Sequence, residues 1–206
     1  NQRVPIFFVC DESGQVNDLQ LISAIESLKA FHHDVYSTSE LATQLKISIS
    51  GFSATLEELT PLANPSEIQE LLTFESGGPC NFGVASNRTR QIIDEYVRSL
   101  KDHYRGTNTK ILRPLLILMI GGNPEDEWRS EFSRLLDRKE YPAPSTFVYV
   151  LPEVSEENFK VLELIAFENS NNCTRVKDWS TVTDAPKIVL NQTLFTRTTT
   201  SSLVIE

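Results

Sequence analysis

A chain of 206 residues, 40% apolar and 23% charged, has the composition of one globular domain able to bury a core of ordinary size. Its formal net charge of −9 provides no basic field for a phosphate backbone, which sets nucleic acid aside as a main partner. No apolar run reaches the roughly 20 residues that cross a bilayer, so no membrane span is expected.

The first element is a buried strand over Val4–Cys10, a run too short for a buried helix and rich in Val, Ile and Phe. It stops at the polar stretch Asp11–Gln15. A helix follows from Asn17 to Phe31, with Asn17 or Asp18 as its cap and Leu19, Ile22, Ile25 and Leu28 at helical spacing. "LKISISGFS" (45–53) alternates as a half-buried strand does, and "TLEELTPL" (55–62) is expected to pair back on it as an edge hairpin. "NPSEIQELLTF" (64–74) reads as a short helix with Pro65 in its first turn.

The loop "ESGGPCNFG" (75–83) opens a long helix from about Val84 to Tyr104, with Ile92, Ile93, Tyr96, Val97 and Leu100 facing inward. "RPLLILMIGG" (113–122) is the most apolar run and predicts a central strand covered on both faces. The next helix is expected over 123–139, its acids Glu125, Asp126 and Glu127 forming a solvated first turn where the helix dipole favours them. "STFVYVLP" (145–152) predicts a strand, "SEENFKVLELIAF" (155–167) a helix capped by Ser155, "TRVKDW" (174–179) a short strand and 183–195 a last helix. Trp128 and Trp179 read as core or edge anchors.

Strands alternating with helices predict an α/β fold: a doubly wound, mostly parallel sheet with helices on both faces and one antiparallel edge hairpin. Residues 1–196 read as a single domain and 197–206 as a polar tail or linker. In such sheets ligands bind beyond the carboxyl ends of the central strands, which singles out the loops 11–15, 76–83 and 120–126.

At these loops the chain resembles the von Willebrand factor A (vWA) domain, in particular the bacterial TerY-type proteins of tellurium-resistance operons. The resemblance covers nearly the whole chain and rests on "FFVCDESG", "ESGGPCNFGVA" and "RPLLILMIGGNPEDEW". It implies a Rossmann-like fold and a metal-ion-dependent adhesion site, built from D-x-S-x-S in the first loop, a threonine in the second and an aspartate in the third. Such a site holds a divalent cation with a position open for a partner's carboxylate.

Asp11 and Ser13 match that pattern and are the candidate metal ligands. Gln15 stands in place of the second serine, Pro79 or Cys80 in place of the threonine, and Ile120 and Gly121 in place of Thr-Asp. One carboxylate and one hydroxyl compete poorly for the hydration shell of Mg²⁺, so the metal site is expected to be degenerate, with no cofactor. Asp18, Asn81, Asn123 and Asp126 are the side chains available to replace the missing ligands.

The expected function is therefore non-catalytic binding of another protein, through Gln15, Cys80, Asn81, Phe82, Gly121, Gly122 and Asn123. Two other readings stand beside it: a metal-dependent (Mg²⁺ or Mn²⁺) binder with altered ligands, and a hydrolase using Cys80 or Asp11. A cysteine nucleophile needs a base, and His32, His33 and His103 fall where the topology turns away from these loops. Gly77–Gly78 and Gly121–Gly122 lack P-loop or Rossmann spacing. The three cysteines, Cys10, Cys80 and Cys173, suit neither a disulfide framework nor a CxxC zinc site. With no leader pattern either, a cytoplasmic location is expected despite sequons at Asn87, Asn172 and Asn191.

Overall fold

Apolar side chains without a break from Ile6 to Cys10 are what a strand covered on both faces requires, and this run lies at the middle of the sheet as β1 (Gln2–Asp11). The computed structural model describes residues 2–70, 73–137 and 143–184 together with Lys187 and Leu190. Among them β1 is flanked by β2 (Leu45–Phe52) and β5 (Leu115–Ile120). β3 (Leu56–Ala63) forms one edge beyond β2, while β6 (Ser145–Val150) and β7 (Asn172–Arg175) extend the other side. The two-residue β4 (Lys110–Ile111) pairs with Gln2 and Arg3. Every pairing is parallel except β2 with β3. The expected α/β sheet with one antiparallel edge hairpin is the one observed.

Side chains alternate across each strand, so β1 feeds two cores. Ile6, Phe8 and Cys10 pack with α1 (Asp18–Ser37) on one face. Phe7 and Val9 pack on the other with α3 (Phe82–His103), α4 (Arg129–Leu136) and α5 (Glu156–Glu168). A short α2 (Ser39–Gln44), like β4, had no sequence counterpart. No helix among the described residues is long and apolar enough to cross a membrane.

The structure corrects several local expectations. α1 is capped by Asn17 in a reciprocal box with Gln20, and its inner stripe is Leu21, Ala24, Leu28, Phe31 and Val35. Leu19 and Ile22 lie outside that stripe, 78% and 47% exposed. β2 is buried on both faces, because Ser48 and Ser50 are small enough to be covered by the second helix layer. Among the described residues, the segment after Asn64 makes a 3₁₀ turn, Pro65–Glu67, in place of the expected helix. α4 starts at Arg129, so residues 123–127 form a loop. β7 begins two residues earlier than expected. Most of the last predicted helix, the sequon at Asn191 and the tail at 197–206 lie outside the described residues.

Candidate functional site

β1 and β5 are adjacent and parallel, so Asp11 and Gly121 leave the sheet side by side. The remaining loop, 75–83, is stitched to both. Gly14 N donates to Gly78 O (2.8 Å), Gly77 N to Glu12 O (2.8 Å), and Glu125 N to Cys80 O (2.9 Å). The three loops expected from the topology therefore do converge.

Asp11 is wholly buried at their centre. Its Oδ1 accepts from Ser13 N (2.9 Å), and its Oδ2 accepts from Gly121 N (3.0 Å), Gly122 N (2.7 Å) and the Cys80 thiol (3.4 Å). Four donors thus surround the carboxylate, three on Oδ2 and one on Oδ1. The glycines make this possible. A Cβ on Gly121 would stand 2.6 Å from Val16 Cγ2, and one on Gly122 would stand 2.9 Å from Gln15 Cβ. Ser13 Oγ is buried against Cys80 and makes no hydrogen bond of ordinary geometry. Burial and the charge of Asp11 push the Cys80 thiol well above its usual pKa, so it serves as a neutral donor.

A second layer closes over this centre. Gln15 Nε2 donates to Asn123 O (3.0 Å) and Glu125 Oε1 (2.9 Å), while Gln15 Oε1 accepts from Asn123 N (2.8 Å). Glu125 Oε1 also accepts from Cys80 N (3.1 Å). Asn123 Oδ1 accepts from Ser155 N and Asn158 Nδ2, joining the start of α5 to the network. Asp126 accepts from Gly83 N and Val84 N at 2.9 Å each and so caps α3 from a distance. The acids 125–127 are therefore not a solvated helix turn: two of them are acceptors that hold the loops in place.

The site residues expected from sequence separate by depth. Gln15 is exposed, and Asn81 and Asn123 are partly so. Cys80, Phe82, Gly121 and Gly122 are buried and cannot meet a partner directly. Phe82 stacks at 5.8 Å on Trp128 and 5.2 Å on Phe132, so both aromatic residues belong to the core. Sequence reasoning missed Glu125 and Asp126 as loop acceptors. It also missed the exposed first turns of the two helices that start here, where Leu19 (78% exposed) and Val84 (44%) stand.

Two further features bear on chemistry. His32 Nε2 bonds Pro65 O, about 20 Å along α1 from the site, and His103 ends α3 at the opposite end of the domain. Beside Asp11, Glu12 borders a groove of about 570 Å³ together with Ser53, Glu57 and Glu75. Burial raises the Glu12 carboxyl pKa. A hydrogen bond from Glu75 N partly offsets this, and the charges of Glu57, Glu75 and Asp11 add to it.

No protein-family model matches the chain, and no curated protein sequence matches it. Solved structures do. The ArnB paralog VWA2 from Sulfolobus acidocaldarius aligns over 92% of this chain and 44% of its own, at 17% identity and a TM-score of 0.56. Proximal thread matrix protein 1 from the mussel byssus aligns over 93% of this chain and 48% of its own, at 14% identity and a TM-score of 0.65. The fold is vWA-like. The PilB minor pilin from Streptococcus sanguinis aligns over 93% of this chain and 61% of its own, at 8% identity and a TM-score of 0.58. The chain thus spans less than two thirds of each of these proteins. In the vWA-like frame, Asp11 ends the first strand with Ser13 two residues beyond it, Cys80 lies before α3, and Gly121 follows the central strand β5.

Proposed function

We propose that this chain is a non-catalytic protein-interaction domain, of the TerY-like vWA subgroup, that binds a partner protein at the carboxyl end of its sheet without a metal ion. The observation that carries this reading is the set of atoms around Asp11. Mg²⁺ and Mn²⁺ require hard oxygen ligands. The Asp11 carboxylate faces three backbone N–H groups and a thiol, all of them donors.

One atom fits a cation, the unpartnered hydroxyl of Ser13. The other candidate ligands are bonded to the protein's own groups or placed away from Asp11. Asn81 Nδ2 donates to Ala54 O, Asn123 holds α5, Asp126 caps α3, and Asp18 is exposed in the first turn of α1. One carboxylate already held by four donors, one hydroxyl and one thiol do not make an octahedral oxygen site, so the residues present do not fit Mg²⁺.

Partner binding is supported by what the same end presents to solvent: Gln15, Asn81, Asn123 and the exposed apolar residues Leu19, Ile22 and Val84. A buried thiol pushed away from its reactive form, with no histidine nearby among the described residues, gives no support to a Cys80 hydrolase. Calorimetric titration with Mg²⁺ and then Mn²⁺ tests the reading. The expected result is no saturable heat. A saturable isotherm lost in Asp11→Ala would replace it with the metal-dependent one.

A further inference from the structure

Leu19 and Ile22 sit one turn apart on the outer face of α1, at the end of the helix that adjoins the loop cluster, and no element of the described residues covers them. Four carboxylates border this pair. Asp18 precedes Leu19 in the first turn, and Glu26 lies one turn after Ile22 on the same face. Glu153 is brought against the helix by Gln20 Nε2, which donates to its Oε1 at 2.9 Å. Asp178 arrives on that same flank, since the next residue, Trp179, donates its N–H to Ser23 Oγ at 3.2 Å, and Ser23 lies between Leu19 and Gln20 around the helix.

None of the four makes an ion pair among the described residues. The bases beside these acids are Lys177, next to Asp178 in the chain, Lys29, one turn after Glu26 on α1, and Arg175, which donates to Pro152 O and Val154 O on either side of Glu153 and is ion-paired to Glu156. The other exposed apolar pair, Leu164 and Phe167 on α5, is bordered by charges of both signs, Lys160, Glu163 and Glu168, and its one base is already ion-paired, to Glu156.

We infer that the partner engages the Leu19–Ile22 face of α1 with a cationic amphipathic segment, one whose apolar side chain covers Leu19 and Ile22 while flanking Lys or Arg residues meet Asp18, Glu26, Glu153 and Asp178. This rests on the proposed function, which it deepens by naming the chemistry of the partner. An acidic partner would bring like charges together across the contact, a cost that complementary surfaces avoid. A cationic amphipathic helix laid along α1 matches both the apolar pair and the sign of its rim.

Backbone amide NMR on the full chain tests it, with two short probe peptides: a leucine–lysine amphipathic helix and its leucine–glutamate counterpart. The lysine peptide is expected to shift amides clustered at Asp18–Glu26, to lose that effect in high salt, and to bind Leu19→Ser/Ile22→Ser about tenfold more weakly. Both residues are exposed, so this double variant keeps its core.

Shifts by the lysine peptide that are scattered over the acidic surface, unchanged affinity in the double variant, or no shift from either peptide would each overturn the inference. Shifts from the glutamate peptide at Gln15, Leu19 and Asn123 would overturn the charge assignment and leave the binding end standing. Shifts confined to Leu164 and Phe167 would overturn both.

Discussion

The Cys80 thiol donates a hydrogen bond to Asp11 Oδ2 across 3.4 Å, joining the second loop to the first at the bottom of the site. The thiol is neutral because burial and the adjacent carboxylate both oppose the thiolate. Cys80→Ser keeps a donor at this position, whereas Cys80→Val removes it and leaves the hydrophobic volume. Cys80→Val should lower stability by about 1–3 kcal/mol, the range for taking a partner from a buried polar group, and Cys80→Ser by less. Urea denaturation of the two variants measures the difference.

Thiol labelling should follow the same burial. Cys10 and Cys80 are fully buried, while Cys173 is half-buried with its pKa pushed up to about 12 by burial and the charge of Glu163. A maleimide reagent at neutral pH is expected to label Cys173 slowly and the other two only after denaturant is added. Rapid native labelling of Cys80 would revive it as a reactive centre.

Much of this was legible in the sequence. β1 and β5 were readable because two-sided burial writes an unbroken apolar run, and the convergence of three loops follows from strand order alone. The face of α1 was not. Leu19, Ile22, Ile25 and Leu28 have helical spacing, but the competing stripe Leu21, Ala24, Leu28, Phe31, Val35 is longer and wins the core. Glu125 and Asp126 were misread because their partners, Cys80 N, Gly83 N and Val84 N, are more than 40 residues away in the chain. Local spacing carries no trace of such bonds. The sequence places Ile120–Gly121 where the vWA resemblance expects Thr-Asp. That the glycine N–H groups would turn inward and take the place beside Asp11 required the fold.

Gly121→Ala should be costly for a steric reason. The added Cβ meets Val16 Cγ2 at 2.6 Å and Leu151 Cδ1 and the Trp179 ring at 3.1 Å, all buried. Overpacking of this kind costs about 1–3 kcal/mol, measurable by denaturant unfolding. A neutral substitution would mean that the loop can shift away from Asp11.

Leu116 is wholly buried in β5 between the flanking strands. Leu116→Ala should lower stability by about 2–5 kcal/mol through lost burial and the cavity left behind. Equilibrium unfolding checks it.

The pH dependence of Glu12 has a definite sign. Its carboxyl pKa is raised in the folded state, chiefly by burial, with Glu57, Glu75 and Asp11 as the charges facing it. The folded state therefore holds this proton more tightly than the unfolded chain. The resulting stabilisation is fully present below the unfolded pKa and is lost as pH rises through the raised one. Glu12→Gln should raise the melting temperature at pH 7, and the gain over the parent should vanish near about pH 4. A gain that persists in acid would assign the effect to packing rather than charge.

The account stands or falls on whether the protein's own donors, and not a cation, hold Asp11. Asp11→Asn, unfolded by urea in chelator and again in Mg²⁺, measures this most directly. The substitution turns an acceptor carboxylate into an amide whose NH₂ must face backbone N–H groups, so it is predicted to lose at least about 1–3 kcal/mol in chelator, with no dependence on Mg²⁺ for parent or variant. A variant as stable as the parent in chelator, beside a parent that gains stability in Mg²⁺, would show that Asp11 waits for a metal and would contradict the account.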